Sequence, residues 1–143
     1  MQSRIYFFKE SVKFRFLKSV QITNWIKRVI RKEGRMAREI NIIFCSDNYL
    51  LDLNRRFLSH NYYTDIITFD HSIEKFINGE IYISVDRVKE NAANLHLPFQ
   101  TELRRVIIHG ILHLLGYSDS TNAQKKVMRL KEDTYLSLLA SFT

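Results

Sequence analysis

Residues 104–119 read R-R-V-I-I-H-G-I-L-H-L-L-G-Y-S-D and constrain the fold more than any other stretch. Between Val106 and Leu115 only His109, Gly110 and His113 interrupt a run of large apolar side chains. Such a run at helix length must be covered on most of its faces, which predicts a helix through the middle of a domain. His109 and His113 stand at i and i+4. At roughly 100° per residue their side chains project about 40° apart, on one face. Gly116 follows the last apolar pair, where a helix stops and the chain turns. Asp119 comes three residues later, so the whole reads H-x-x-x-H-x-x-G-x-x-D.

That spacing carries chemistry. Two imidazoles one helical turn apart can aim ring nitrogens at a single ion, and a glycine turn can return a third side chain to it. The candidate ligands, and candidate catalytic residues, are therefore His109, His113 and Asp119. Three protein ligands leave one coordination position open, the catalytic form of a zinc site. Zinc in such a site activates water at neutral pH. The competing reading is a pair of core histidines, which would need buried hydrogen-bond partners for both rings. The zinc-peptidase motif H-E-x-x-H carries its general base where Gly110 stands, so the ligand spacing is present and that base is not.

His109–Tyr117, H-G-I-L-H-L-L-G-Y, resembles the H-G-x-L-H-L-x-G-Y-D-H signature of the YbeY family of bacterial zinc-dependent endoribonucleases. Leu53-Asn54, Thr64–Phe69 and Gly79–Ser84 are similar to that family's L-N, T-D-V-L-S-F and G-D-I-x-I-S stretches. The blocks keep their order over about residues 50–120. The resemblance implies a zinc-dependent, single-strand-specific ribonuclease linked to ribosomal RNA maturation. There are two departures. Asp119 stands where the family has its third His, and Ser118 where it has Asp. Either a carboxylate replaces the third imidazole, or the register slips by one and the third ligand lies elsewhere. Leu58 holds a place the family gives to Arg, leaving Arg55, Arg56 or His60 to meet substrate phosphate.

Charge points to the same class of partner. The 22 Lys and Arg against 15 Asp and Glu give a net +7. Residues 1–38 hold 11 basic side chains against Glu10 and Glu33, a local +9, while the remainder nets −2. A field concentrated in this way attracts polyanions. Thr23 is a plausible N-cap and Gly34 a plausible helix end, with Trp25, Ile26, Val29 and Ile30 as the apolar stripe between them. Lys27, Arg28 and Arg31, on the neighbouring stripe, are candidate RNA contacts, although a solvated basic face has the same pattern. Tyr62 and Tyr63 are candidates for stacking on an unpaired base or for packing. Thr64 and Asp65 precede a strand, where Asp65 can orient a ligand His or simply cap a turn.

The remaining chain supplies a frame. The 143 residues, 45% hydrophobic and 26% charged, fit one globular domain over 1–143. Cys45 is alone, so no internal disulfide forms, and it reads as a small core residue. No signal-like or membrane-length apolar run is present, and a cytoplasmic location is expected.

Strands are predicted over residues 5–8, 39–45, 66–70 and 80–84, with residues 12–16 either strand or loop. Helices are predicted after Thr23, after Ser46 or Asp47, after Asp86, after Pro98 with Thr101 as cap, and after Thr121. Phe57 is expected inward on the second helix, and Val127, Leu130, Leu136 and Leu139 on the last. Strands and helices do not alternate strictly, so the expected class is α+β: a mixed sheet of about four strands packed with about five helices, one a zincin-like metal helix. Two functions stay open: the ribonuclease, and a ribosome-associated RNA-binding factor with a structural metal. A metallopeptidase comes third.

Overall fold

A computed structural model describes residues 3–141. The elements, in order, are β1 (Arg4–Glu10), α1 (Ser19–Lys32), β2 (Met36–Cys45), α2 (Asp47–Leu58), β3 (Ile66–Asp70), β4 (Phe76–Ser84), α3 (Val85–Asn94), α4 (Phe99–Leu114) and α5 (Asn122–Ala140). The sheet runs β1-β2-β4-β3. β1, β2 and β4 are parallel, and β3 returns antiparallel to β4 through the 71–75 turn. The fold is the expected α+β arrangement, with five helices and a mixed four-stranded sheet.

Strand alternation separates two apolar layers. Ile40, Ile42 and Phe44 of β2, with Ile81 and Ile83 of β4, face the large core shared with α1, α3, α4 and α5. Cys45 and Ile67 face the other way, under Leu50 and Leu53 of α2. α4 lies in the large core, with Leu103, Val106, Ile107, Ile108, Ile111, Leu112 and Leu114 all buried. It packs tightly on the sheet at Gly110, where an added Cβ would meet Ile81 Cγ2 at 2.8 Å and Ile66 Cδ1 at 2.9 Å. The place of the peptidase glutamate is thus filled by the sheet itself. Trp25 Nε1 donates to the Tyr135 carbonyl at 2.7 Å and ties α1 to α5.

Several boundaries differ from the sequence reading. α1 begins at Ser19, ahead of Thr23, after Lys18 in the left-handed region at φ 61°. Ser84, not Asp86, caps α3, and Pro98 rather than Thr101 precedes α4. Ser46 caps α2 through Tyr49 N, and Thr121 with Gln124 forms a full capping box on α5, both as read. Residues 12–16 form no regular element; Phe14 and Phe16 instead pack on Phe44 at centroid distances of 5.0 and 4.8 Å. Phe57 is 61% exposed, and on α5 Val127 and Leu130 are 46% and 65% exposed. The inward face of α5 is Met128, Glu132, Tyr135 and Leu139. Leu139 is buried and Leu136 packs on the core as expected, while Val127 and Leu130 give way to a face that includes the charged Glu132.

Candidate metal centre

The end of α4 builds the site. Gly116 at φ +100° follows the C-cap Leu115. Gly116 N donates to the His113 carbonyl and Tyr117 N to the Leu112 carbonyl, both at 3.0 Å. These are the two bonds of a Schellman end, which reverses the chain where only a left-handed residue can. The reversal brings Asp119 Oδ2 to 3.3 Å from His109 Nε2 and 3.4 Å from His113 Nε2. Among the described residues, these three side chains form the one His, Cys, Asp or Glu group whose donor atoms lie within 4.8 Å of one another.

The ring tautomers follow from what lies behind each imidazole. His109 Nδ1 is 2.7 Å from Glu132 Oε2, and His113 Nδ1 is 3.0 Å from the Tyr117 carbonyl. Both partners accept, so both Nδ1 atoms carry the hydrogen and both Nε2 atoms present lone pairs. The two Nε2 atoms stand 2.9 Å apart, a contact that a proton or a metal cation shared between the rings satisfies. Ligands at about 2.0–2.1 Å in a tetrahedron stand about 3.3–3.4 Å apart. The two carboxylate-to-nitrogen distances match that edge, and the nitrogen pair is a few tenths of an ångström tighter. The donor set suits zinc, with borderline nitrogen ligands and one oxygen.

Charge around the centre is strongly shaped. Glu132 is 4% exposed and is held by Arg105 Nη1 at 2.9 Å on its other oxygen, while Arg105 Nη2 reaches Asp133 at 2.8 Å. Burial opposes charge on His109, but Glu132, Asp119 and Asp65 outweigh it and raise its pKa. Burial and the neighbouring His109 lower that of His113. Burial raises the pKa of Glu132, and the bonds from His109 and Arg105 bring it below the ordinary carboxylate value.

A cavity of about 550 Å³ opens beside the donors, lined by His109, Asp119, Asp65 and Glu102 and, from α5, by Lys125, Lys126 and Arg129. Asp65 stands in its wall, where burial raises its pKa and the charge of His109 opposes the rise. The hydrogen bond behind His109 comes from Glu132, 23 positions downstream of the histidine. Thr64 Oγ1 donates to the Ile66 carbonyl, two residues on and 3.3 Å away.

The expected RNA contacts are dispersed. Arg28 and Arg31 lie exposed on α1 and Lys27 half-buried there, none among the residues lining the cavity. Arg55 and Arg56 are exposed on α2, bonded to Asn61 and paired with Asp52. His60 is exposed and pairs with Tyr62 through a 2.9 Å hydrogen bond. Tyr62 and Tyr63 are 56% and 48% exposed, so neither is core. Sequence reading missed Glu132, Arg105, Glu102 and the basic stripe of α5. The i, i+3, i+4, i+7 spacing of Asn122, Lys125, Lys126 and Arg129 was the available signal.

Comparison with known proteins is consistent along the chain. The family model described as Endoribonuclease YbeY matches residues 7–140. The Endoribonuclease YbeY of Cytophaga hutchinsonii is 49% identical over 138 residues, covering 96% of each chain. That of Flavobacterium psychrophilum is 46% identical over 131 residues, covering 92% of this chain and 94% of its own. The solution structure of TM1509 from Thermotoga maritima superposes with a TM-score of 0.66 at 29% identity, covering 94% of this chain and 88% of that one. With the H-G-I-L-H-L-L-G-Y helix, its glycine turn and the mixed sheet all in place, the chain belongs to the Endoribonuclease YbeY family.

Proposed function

We propose that this chain is a zinc-dependent, single-strand-specific endoribonuclease acting in ribosomal RNA maturation and ribosome quality control, in the cytoplasm, as one domain. His109, His113 and Asp119 hold one zinc ion. The observation that carries this reading is the convergence of two Nε2 lone pairs and a carboxylate, with both Nδ1 atoms already donated elsewhere. Bound there, zinc supplies an activated water and a positive charge for phosphodiester hydrolysis.

The side chains of this protein do the positioning. Glu132 accepts the Nδ1 hydrogen of His109 and keeps that ring in its ligating tautomer, and Arg105 holds Glu132 in turn. The Tyr117 carbonyl does the same for His113. Phosphoryl chemistry draws mainly on charge stabilisation and alignment, which preorganised cations and donors provide without reorganisation. A peptidase would need a base beside the metal, and Gly110 has no room for one. The basic residues of α1, Lys27, Arg28 and Arg31, supply long-range attraction for single-stranded RNA, ribosomal RNA or the small ribosomal subunit. Arg55 and Arg56 on α2, with His60 and Tyr62 in the loop that follows it, are further exposed side chains open to the strand.

The test is metal analysis combined with cleavage of unpaired RNA, on wild type and on His113→Ala. About one zinc per chain, and cleavage lost in the variant, is the expected result. Metal-loaded protein that binds RNA and never cuts it would replace the enzyme with an RNA-associated factor.

A further inference from the structure

The cavity between α4 and α5 has two features that the metal centre does not use. The first is the stripe of Asn122, Lys125, Lys126 and Arg129, successive positions on one face of α5 and all on the cavity wall. All four are exposed. Among the described residues, Lys125 and Lys126 have no acidic partner, and Arg129 has only Glu132 at 4.0 Å. Three cations thus line the same cavity as His109 and Asp119. The second feature is Glu102. It is 6% exposed and lines the same cavity, yet its Oε1 is buried without a hydrogen-bond partner. A buried carboxylate oxygen left unpaired is costly, and such groups are found where something else completes them.

Glu102 precedes His109 by two turns on the same face of α4, about 10 Å along the axis. That separation is comparable to the length of one nucleotide. The cavity volume, about 550 Å³, also suits a ligand of that size.

We infer that this cavity is a nucleotide subsite for the RNA strand: Lys125, Lys126 and Arg129 hold a phosphate, and Glu102 accepts a hydrogen from the ribose hydroxyl or base amine of the attached nucleoside. The inference rests on the ribonuclease reading. It moves the close phosphate contacts from α1 to α5. Lys and Arg on an exposed helix face hold a phosphate by charge, tolerant of sequence. A buried acceptor recognises a hydrogen-bond donor and leaves the wrong ligand unpaired. Val106 and Met128 give the same cavity apolar contacts for a sugar or base.

The experiment uses the zinc-loaded full chain and a labelled, unpaired ten-nucleotide RNA, measuring Kd against salt, KM, kcat, zinc content and melting temperature. Lys125→Ala/Lys126→Ala/Arg129→Ala should raise Kd and KM at least tenfold with zinc unchanged. At about 0.7 per phosphate charge, three lost contacts should also flatten the salt slope by about two. Glu102→Leu should raise the melting temperature, since it removes a buried unpaired carboxylate, and should still raise KM several-fold. A merely structural Glu102 would not separate those two readouts. Wild type that cleaves while the α5 variant keeps its KM and salt slope overturns the subsite and leaves the ribonuclease reading standing. Wild type that neither binds nor cleaves RNA overturns both. Glu102→Leu with unchanged KM removes Glu102 from the subsite.

Discussion

Glu132 Oε2 accepts from His109 Nδ1 at 2.7 Å across 23 residues of sequence, so α5 orients a candidate ligand that α4 carries. Behind a metal-bound His, a carboxylate fixes the tautomer and raises ligand basicity. Glu132→Ala should therefore weaken zinc affinity about 10–100-fold. Glu132→Gln, which keeps an acceptor oxygen, should lose less. Competition against a chromophoric chelator measures both, and equal affinity in all three proteins would remove Glu132 from the site.

Asp119 supplies the third donor at 3.3 and 3.4 Å from the two Nε2 atoms. Asp119→His should retain about one zinc per chain, and Asp119→Ala should bind it at least tenfold more weakly. Tight zinc binding by Asp119→Ala would mean that another side chain completes the site. Chelation of the wild-type protein should abolish RNA cleavage, and added zinc should restore it.

Gly110 is required by packing. A Cβ there meets Ile81 and Ile66 side chains at 2.8 and 2.9 Å. Gly110→Ala gains up to about 1 kcal/mol of helix propensity. Overpacking of a close-packed core costs about 1–3 kcal/mol. The net should be destabilising by up to about 2 kcal/mol once the propensity gain is subtracted, read from urea denaturation. Gly110→Glu, which would restore H-E-x-x-H, should fail to fold stably, and a soluble variant with the wild-type midpoint would contradict the packing argument.

Glu33 gathers Tyr117, Tyr135 and Lys131 at the junction of α1, the glycine turn and α5. Burial pushes its carboxyl up, but the hydrogen bonds from the two tyrosines and Lys131 win and hold it below its ordinary value of 4.5. A carboxylate lowered on folding stabilises the native state above its unfolded pKa, and that contribution fades as pH falls through the folded value. Glu33→Gln should thus melt several degrees lower at pH 7, with the gap to wild type closing below about pH 4. A constant gap across that range would assign the loss to packing alone.

The candidate metal site on α4 was legible because it is local. The 3.6-residue period places His109 beside His113, an apolar run declares burial, and Gly116 declares the turn, all within sixteen residues. The α+β class and the caps at Ser46 and Thr121 were legible for the same reason. α5 was misread where the usual rule reverses: Glu132 is buried because His109 and Arg105 satisfy both of its oxygens. A stripe that contains a carboxylate does not look like an inward face.

The sequence by itself determined the ligand spacing on α4, the absence of the peptidase base and the excess of positive charge, since each depends on neighbours in the chain. Tertiary structure alone decided which acid stands behind His109, why position 110 must be glycine, and where the useful cations lie. The net −2 over residues 39–143 conceals Lys125, Lys126 and Arg129, because a charge total ignores which faces meet. Packing α5 against α4 brings that stripe onto the cavity that His109 and Asp119 also line, and electrostatics at a site depends on distance rather than on order along the chain.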